Sequence, residues 1–315
     1  MKDDIILSIE GLCKYYDGTL VVDNISFFVQ RQGVFSFLGP NGAGKTTTIK
    51  MICGLLKADA GNINLNGKSM SQSYNQLKKL IGLCPQEIII WEHLTCFEQL
   101  KFVGISYGLS KDKSCERATY LLEAVGLMDK KDKLAGTLSG GMQRRLNMIL
   151  ALVHDPKLII LDEPQAGLDP QSRILVRDFI RHLAKKKAIL LTTHDMDEAD
   201  RLSDRIAIID YGKILMIDTP DKIKERSGMK DVIQVSVKEN DATKIKKLLD
   251  VLPDRITEKR FNDGLLYLGG RDVIELIPNI SKILKDNNIV MDSMVIRKRT
   301  LEDAFISMTG RGLRE

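Results

Sequence analysis

Apolar residues follow two different patterns along this chain. Up to about residue 218 they come mostly as short unbroken runs: VFSFL at 34–38, LIILD at 158–162 and AILLTT at 188–193. Runs this short and this continuous predict strands of a parallel sheet covered on both faces. Short strands are also predicted at 5–9 (IILSI) and 21–29 (VVDNISFFV), and another, between two turns, in GNINLNG at 61–67. Helical spacing appears in TTTIKMICGLL at 46–56, in LTCFEQLKFVGISYGL at 94–109 and in SCERATYLLEAVGL at 114–127. The stretch 87–155 is therefore expected to be helix-rich. Between the two apolar strands, Leu175, Phe179 and Leu183 predict one buried helix face. RIAIIDYGKILMID at 205–218 reads as strand, turn and strand.

Beyond residue 221 the apolar residues are arranged differently. Strands are predicted at 232–237, 255–261, 264–269 and 289–297, with helices at 242–250 and 271–286. A last helix begins at Leu301, with Thr300 as N-cap and Glu302 and Asp303 in its first turn. The order βαββαβ predicts a small ferredoxin-like α+β domain. Thr219, Pro220 and Asp221 mark the boundary, which gives domains of 1–219 and 220–315. The three consecutive lysines 185–187 read as a solvated helix end.

Composition narrows the class only a little. Of 315 residues, 43% are hydrophobic and 28% charged, as in ordinary core-forming proteins. The net charge is +5, and residues 221–315 carry 19 Lys and Arg against 16 Asp and Glu. Without a basic stripe, nucleic acid is not an expected partner. Five cysteines without close metal or redox spacing predict free thiols in a reducing compartment. Asp3 and Asp4 near the start argue against a signal peptide. The longest apolar run, 148–153, is far shorter than the roughly 20 residues a membrane span needs, so any membrane role is expected to run through a partner.

Three motifs carry chemistry. Residues 39–47 read GPNGAGKTT, between an apolar strand and a helix, the setting of a phosphate loop. Gly39, Gly42 and Gly44 let the backbone turn N–H groups inward towards phosphate oxygens, and Pro40, Asn41 and Ala43 complete the turn. Lys45 supplies a cation for the β- and γ-phosphates, Thr46 a hydroxyl for Mg2+, and Thr47 lies in the first turn of the following helix. LIILDEP at 158–164 ends an apolar strand in two acids: Asp162 placed to hold the metal through water, Glu163 to polarise an attacking water. Alone, such a pair could merely cap the strand. In LSGGMQ at 138–143, Ser139, Gly140 and Gly141 open an amphipathic helix, a terminus suited to an anion. As a bare string it would be only a turn and a cap.

With LSGGMQ lying between the phosphate loop and the acids, residues 5–217 resemble the ATP-binding cassette (ABC) ATPases. The resemblance implies an α/β P-loop cassette with a mixed sheet and a helical subdomain at about 87–155. It also implies that ATP and Mg2+ are bound and that Glu163 is the catalytic base. Ser139, Gly140 and Gly141 would complete the site of an opposite subunit, making ATP the glue of a head-to-tail homodimer. Gln86 matches the glutamine that contacts Mg2+ and relays to the transport partner. His194 matches the γ-phosphate-sensing histidine, and Asp169, in Gly167-Leu168-Asp169, the loop that crosses the dimer interface. Tyr16 matches the adenine-stacking aromatic, with Tyr15 adjacent. Gln165 departs from the family, which usually has Thr there. The C-terminal string RTLEDAFISMTGRGLRE and TTHDMDEADRLSDRIAIID at 192–210 look like the daunorubicin-type drug-resistance export ATPases. That implies a separate membrane permease, with this chain peripheral on the cytoplasmic face. An importer ATPase and a soluble ABC ATPase are the alternatives. The stretch between Lys45 and Ser139 has no room for the long coiled coil of the DNA-repair members, and an importer's usual extension is a β-rich barrel.

Overall fold

The computed structural model describes residues 4–226, 231–237, 244, 248, 249, 252–262, 264–270 and 273–309. The chain divides after Pro220 into two compact units.

In the first unit, a six-stranded sheet is ordered β10-β9-β3-β8-β7-β6. These are Lys213–Asp218, Arg205–Asp210, Gly33–Leu38, Ala188–Thr193, Leu158–Asp162 and Ile81–Cys84. All neighbours are parallel except β10, which turns back against β9. Its apolar runs sort by parity. Phe35, Phe37, Leu158, Ile160 and Leu190 enter one core, with helix α1 (Lys45–Ile52) and the antiparallel sheet β2-β1-β4-β5. That sheet comprises Thr19–Gln30, Ile5–Tyr16, Ala60–Leu65 and Lys68–Ser69. Val34, Ile159, Leu161, Ile189 and Leu191 enter the opposite core, with α3 (Cys96–Ser106), α4 (Lys111–Ala124), α5 (Gly140–Leu150) and α6 (Pro170–Ala184). Burial on both faces is why these strands contain almost no polar residue. Phe27, Phe35 and Phe37 lock the first core, with ring centroids 4.9–5.8 Å apart. Short helices α2 (Met70–Leu77) and α7 (Met196–Leu202) complete this unit, and α8 (Pro220–Arg226) spans the boundary into the second.

Three sequence readings are corrected. β1 and β2 are twelve residues each, not short, because bulges carry them past Gly11 and Asn24. Helix α1 stops at Ile52 rather than 56, since Gly54 turns left-handed at φ +69°. On α6, Phe179 is buried and Leu183 packs against the core as predicted, but Leu175 is 51% exposed and Val176 and Ile180 take the inward positions beside Phe179.

In the second unit, four antiparallel strands are ordered β12-β13-β11-β14, the ferredoxin-like arrangement. They span Ile256–Asn262, Leu265–Gly270, Asp231–Val237 and Met291–Arg297. Helix α9 (Ile277–Asp286) covers one face, and Ile233, Val235, Leu266, Leu268, Ile280 and Leu284 form the core. The helix expected at 242–250 lies largely outside the described residues. Helix α10 (Leu301–Thr309) starts as predicted: Thr300 Oγ1 accepts the Asp303 N–H at 3.1 Å, and Asp303 returns the bond to Thr300.

Candidate active site

The parallel strands deliver their carboxyl ends to one edge, and the polar residues that follow them meet there. After β3 the chain makes the 39–44 turn and enters α1. Gly39 permits a close crossing: a Cβ there would lie 2.1 Å from the Ile209 carbonyl oxygen. Gly44, the N-cap of α1, is left-handed at φ +96° and its missing Cβ would sit 2.8 Å from Val21 O. Because Gly44 has no side chain to cap the helix, the first amides of α1 are left to bind an external acceptor. Lys45 is 5% exposed and donates to Gly39 O at 2.7 Å and Pro40 O at 3.0 Å. Burial pushes its ammonium below the usual lysine range, while the Glu163 and Asp162 carboxylates pull it back.

β7 places Asp162 beside α1. Thr46 Oγ1 donates to Asp162 Oδ2 at 3.1 Å, and Thr192 Oγ1 donates to the other carboxylate oxygen. Glu163 is left-handed at φ +49°, a conformation that costs a residue with a Cβ about 1–2 kcal/mol. Its backbone N–H is held by Thr192 O and Oγ1, both at 3.1 Å. The turn carries the Glu163 side chain back over the loop, 3.9 Å from Lys45 Nζ and 3.0 Å from His194 Nδ1. Gln86, after β6, donates to Glu163 Oε2 at 3.4 Å. Lys45, Thr46, Gln86, Asp162, Glu163 and His194 thus form one cluster.

Other predicted residues lie apart from that cluster. Tyr16, at the end of β1, is 43% exposed, with Lys14 Nζ 5.7 Å from its ring centroid. Ser139 caps α5, and it and Gly140 face solvent. Gly141 lies against Ser172 and Asp169. Asp169 caps α6, accepting N–H groups of Gln171 and Ser172 at 3.0 Å, and the Ser172 hydrogen bonds hold its carboxyl below the usual range.

Sequence reading missed three contributors. Thr192 could have been noticed as a hydroxyl ending an apolar run. Glu198, 6% exposed on α7, accepts from Thr193 Oγ1 at 2.7 Å beside His194, and burial raises its carboxyl to about 7. Arg144, on α5, is 3% exposed and among the described residues bonds only to backbone carbonyls. Next to Gln86, a groove of about 610 Å3 is lined by Leu55, Ile89, Trp91 and Tyr107, each 41–64% exposed.

A phosphate cradle, a cation, a hydroxyl paired with one carboxylate and a second carboxylate aimed across them define a P-loop nucleotide hydrolase. No group of three or more His, Cys, Asp or Glu among the described residues could hold a metal unaided. The Thr46 hydroxyl and the Asp162 carboxylate, 3.1 Å apart, are hard oxygen donors that fit Mg2+, which takes a few protein oxygens plus phosphate. The family described as ABC transporter matches residues 22–166. The linearmycin resistance ATP-binding protein of Bacillus subtilis is 36% identical, covering 98% of this chain and 100% of its own length. Nod factor export ATP-binding protein I of Ralstonia nicotianae is also 36% identical, over 98% of this chain and 95% of that one. A solved ATP-binding subunit of an ABC transporter superposes with TM-score 0.65 at 30% identity, over 71% of this chain and 93% of that chain. This chain belongs to the ABC transporter ATPases. It is an ATP hydrolase that uses ATP with Mg2+, the ATPase subunit of a transporter.

Among the described residues, no helix is long and apolar enough to cross a membrane. All five cysteines are free, and burial pushes the Cys53 thiol up to about 12 and the Cys84 thiol to about 11.

Proposed function

We propose that this chain powers export: it binds ATP in a head-to-tail homodimer at the cytoplasmic face of the membrane and drives a separate permease. The observation that carries the catalytic reading is the placement of the Glu163 carboxylate beside Lys45, with His194 and Gln86 against it. Glu163 accepts a proton from the attacking water, and Gln86 and His194 hold its carboxylate in line. Lys45 exchanges its loop carbonyls for phosphate oxygens and balances their charge. Thr46 and Asp162, with Gln86 in the same cluster, would hold Mg2+, which would supply positive charge against the phosphates. The exposed start of α5, at Ser139 and Gly140, supports the dimer reading: its amides answer a phosphate of a second copy, with Asp169 beside it. Tyr16 stacks on adenine.

The direction of transport draws on relatives named for linearmycin resistance and Nod factor export, which match both units of this chain. The apolar groove beside Gln86 suits a permease segment, so that movement of Gln86 links docking to Glu163. Light scattering on Glu163→Gln tests the assembly: MgATP is expected to convert monomer to dimer by mass action. A protein that stays monomeric at saturating ATP would remove the homodimer from this reading.

A further inference from the structure

We infer that Arg144 is a positioning residue for hydrolysis: its guanidinium fixes the backbones of Gln86 and Glu163 relative to one another, and so sets turnover without contacting nucleotide. The inference rests on the role of Glu163 proposed above.

Arg144 lies four residues into α5 and is nearly fully buried. A buried cation ordinarily sits against a carboxylate. None lies within 4.0 Å of this one among the described residues. Instead its five N–H groups all go to main-chain oxygens. Nε donates to Pro164 O at 3.1 Å. Nη1 donates to Pro85 O at 3.1 Å and to Gln86 O. Nη2 donates to Asp162 O at 3.1 Å and to Glu163 O. The donor capacity of the guanidinium is fully used, on two loops that leave the sheet from adjacent strands. Burying an unpaired charge is costly, and filling the same volume with an apolar side chain would avoid that cost but take this donor from all five carbonyls, of which Glu163 O would keep a second, the Ala166 N–H at 3.2 Å.

These two loops have particular need of a tie. Glu163 is in the left-handed region, which a residue with a side chain keeps only when its neighbours over-determine it. Thr192 holds the N–H of Glu163 and Arg144 holds its carbonyl, so the peptide groups on both sides of the strained residue are fixed. The hydrogen bond from Gln86 to Glu163 is already long at 3.4 Å, and a small drift of either loop would break it. One rigid planar fork gripping both loops sets the gap between them. A lysine, with donors on a single point, could not span it. Because Arg144 reaches no part of the 39–46 loop and touches Gln86 and Asp162 only through their carbonyls, its loss is expected to change ATP affinity far less than turnover.

The test compares full-length Arg144→Lys with Glu163→Gln and the double variant. Folding is checked by thermal melting, ATP affinity by equilibrium dialysis and turnover by phosphate release. Arg144→Lys is expected to lower kcat by about 10- to 100-fold, the scale of a displacement near 1 Å, with ATP affinity within about twofold. In the Glu163→Gln background the same substitution is expected to remove less than about twofold more, because both act through one carboxylate. Should Arg144→Lys fail to fold, Arg144→Gln, which keeps a planar amide, takes its place in all three measurements. Unchanged kcat, losses that multiply in the double variant, or a defect confined to ATP affinity would overturn the inference. Near-normal turnover of Glu163→Gln alone overturns the reading of Glu163 itself, and the route through it; a slow Glu163→Gln beside a fast Arg144→Lys overturns only the positioning role.

Discussion

The central sheet of the first unit and the sheet of the second distribute polar residues in opposite ways. In the central sheet, β7 and β8 are buried at every position, so a polar side chain inside a strand has no water to reach. Polar groups are pushed to the carboxyl ends, where Asp162, Glu163, Thr192, Thr193 and His194 collect along one edge. In the second unit, β11 alternates buried and half-buried positions, and Gln234, Arg260 and Tyr267 lie in one row across the open face of its sheet. There the polar residues are spread over a surface rather than gathered at a point. Covering a sheet on both faces concentrates its chemistry, and covering one face disperses it.

The largest effect expected from this contrast is on turnover. Glu163→Gln should lower kcat by about 10²- to 10⁴-fold, the range for loss of a general base. Arg260→Gln, on the open face of the second sheet, should leave phosphate release within about twofold, as surface substitutions do. Similar losses from both would break the contrast. Next in size is packing. Phe37→Ala, fully buried between Phe27 and Phe35, should cost about 3–5 kcal/mol in denaturant melts, and Val232→Thr on the half-covered sheet about 1 kcal/mol or less.

A smaller effect, about 3 kcal/mol, concerns pH. Glu198 is buried and its carboxyl rises from 4.5 to about 7. The folded chain then holds more protons than the unfolded one between about pH 4.5 and 7, so its contribution to stability falls as pH rises through that window and is flat above it. Glu198→Gln keeps an acceptor for Thr193 Oγ1 and should erase that slope, making the variant the more stable protein at pH 7.5. Parallel pH–stability curves for the two proteins would remove Glu198 as the titrating group. The smallest effect should come from removing the second unit. We propose that residues 1–220 fold alone, with ATP affinity within about twofold of the full chain by equilibrium dialysis. An insoluble truncation would show that the second unit covers an apolar face of the first.

Much of the catalytic cluster was readable in advance because each member sits at a fixed step after an apolar strand. GPNGAGKTT follows β3 and DEP closes β7, so strand logic brought Lys45 and Asp162 to one edge, while His194, just past β8, was singled out only by the family resemblance. The long first hairpin was not readable, since Gly11 and Asn24 look like breakers until bulges absorb them. Nor could parity settle the inward face of α6, where Leu175 and Val176 compete for the same side. Arg144 left no trace in the sequence for a deeper reason. Its partners are main-chain carbonyls, which every residue type presents alike, so no pattern of side chains announces the contact.

Lys45 is hydrogen-bonded within its own loop, to Gly39 and Pro40. Its cation therefore serves as a strut that keeps the turn curved, and contacts to a phosphate come in exchange for internal ones. Calorimetry on the parent protein would register only the difference between the two sets. Lys45→Ala would lose more than a charge: the loop would slacken, and part of the lost affinity would appear as an entropic cost of drawing 39–44 back into shape. A lysine proposed above as an electrostatic contact is here also a tie within its own loop.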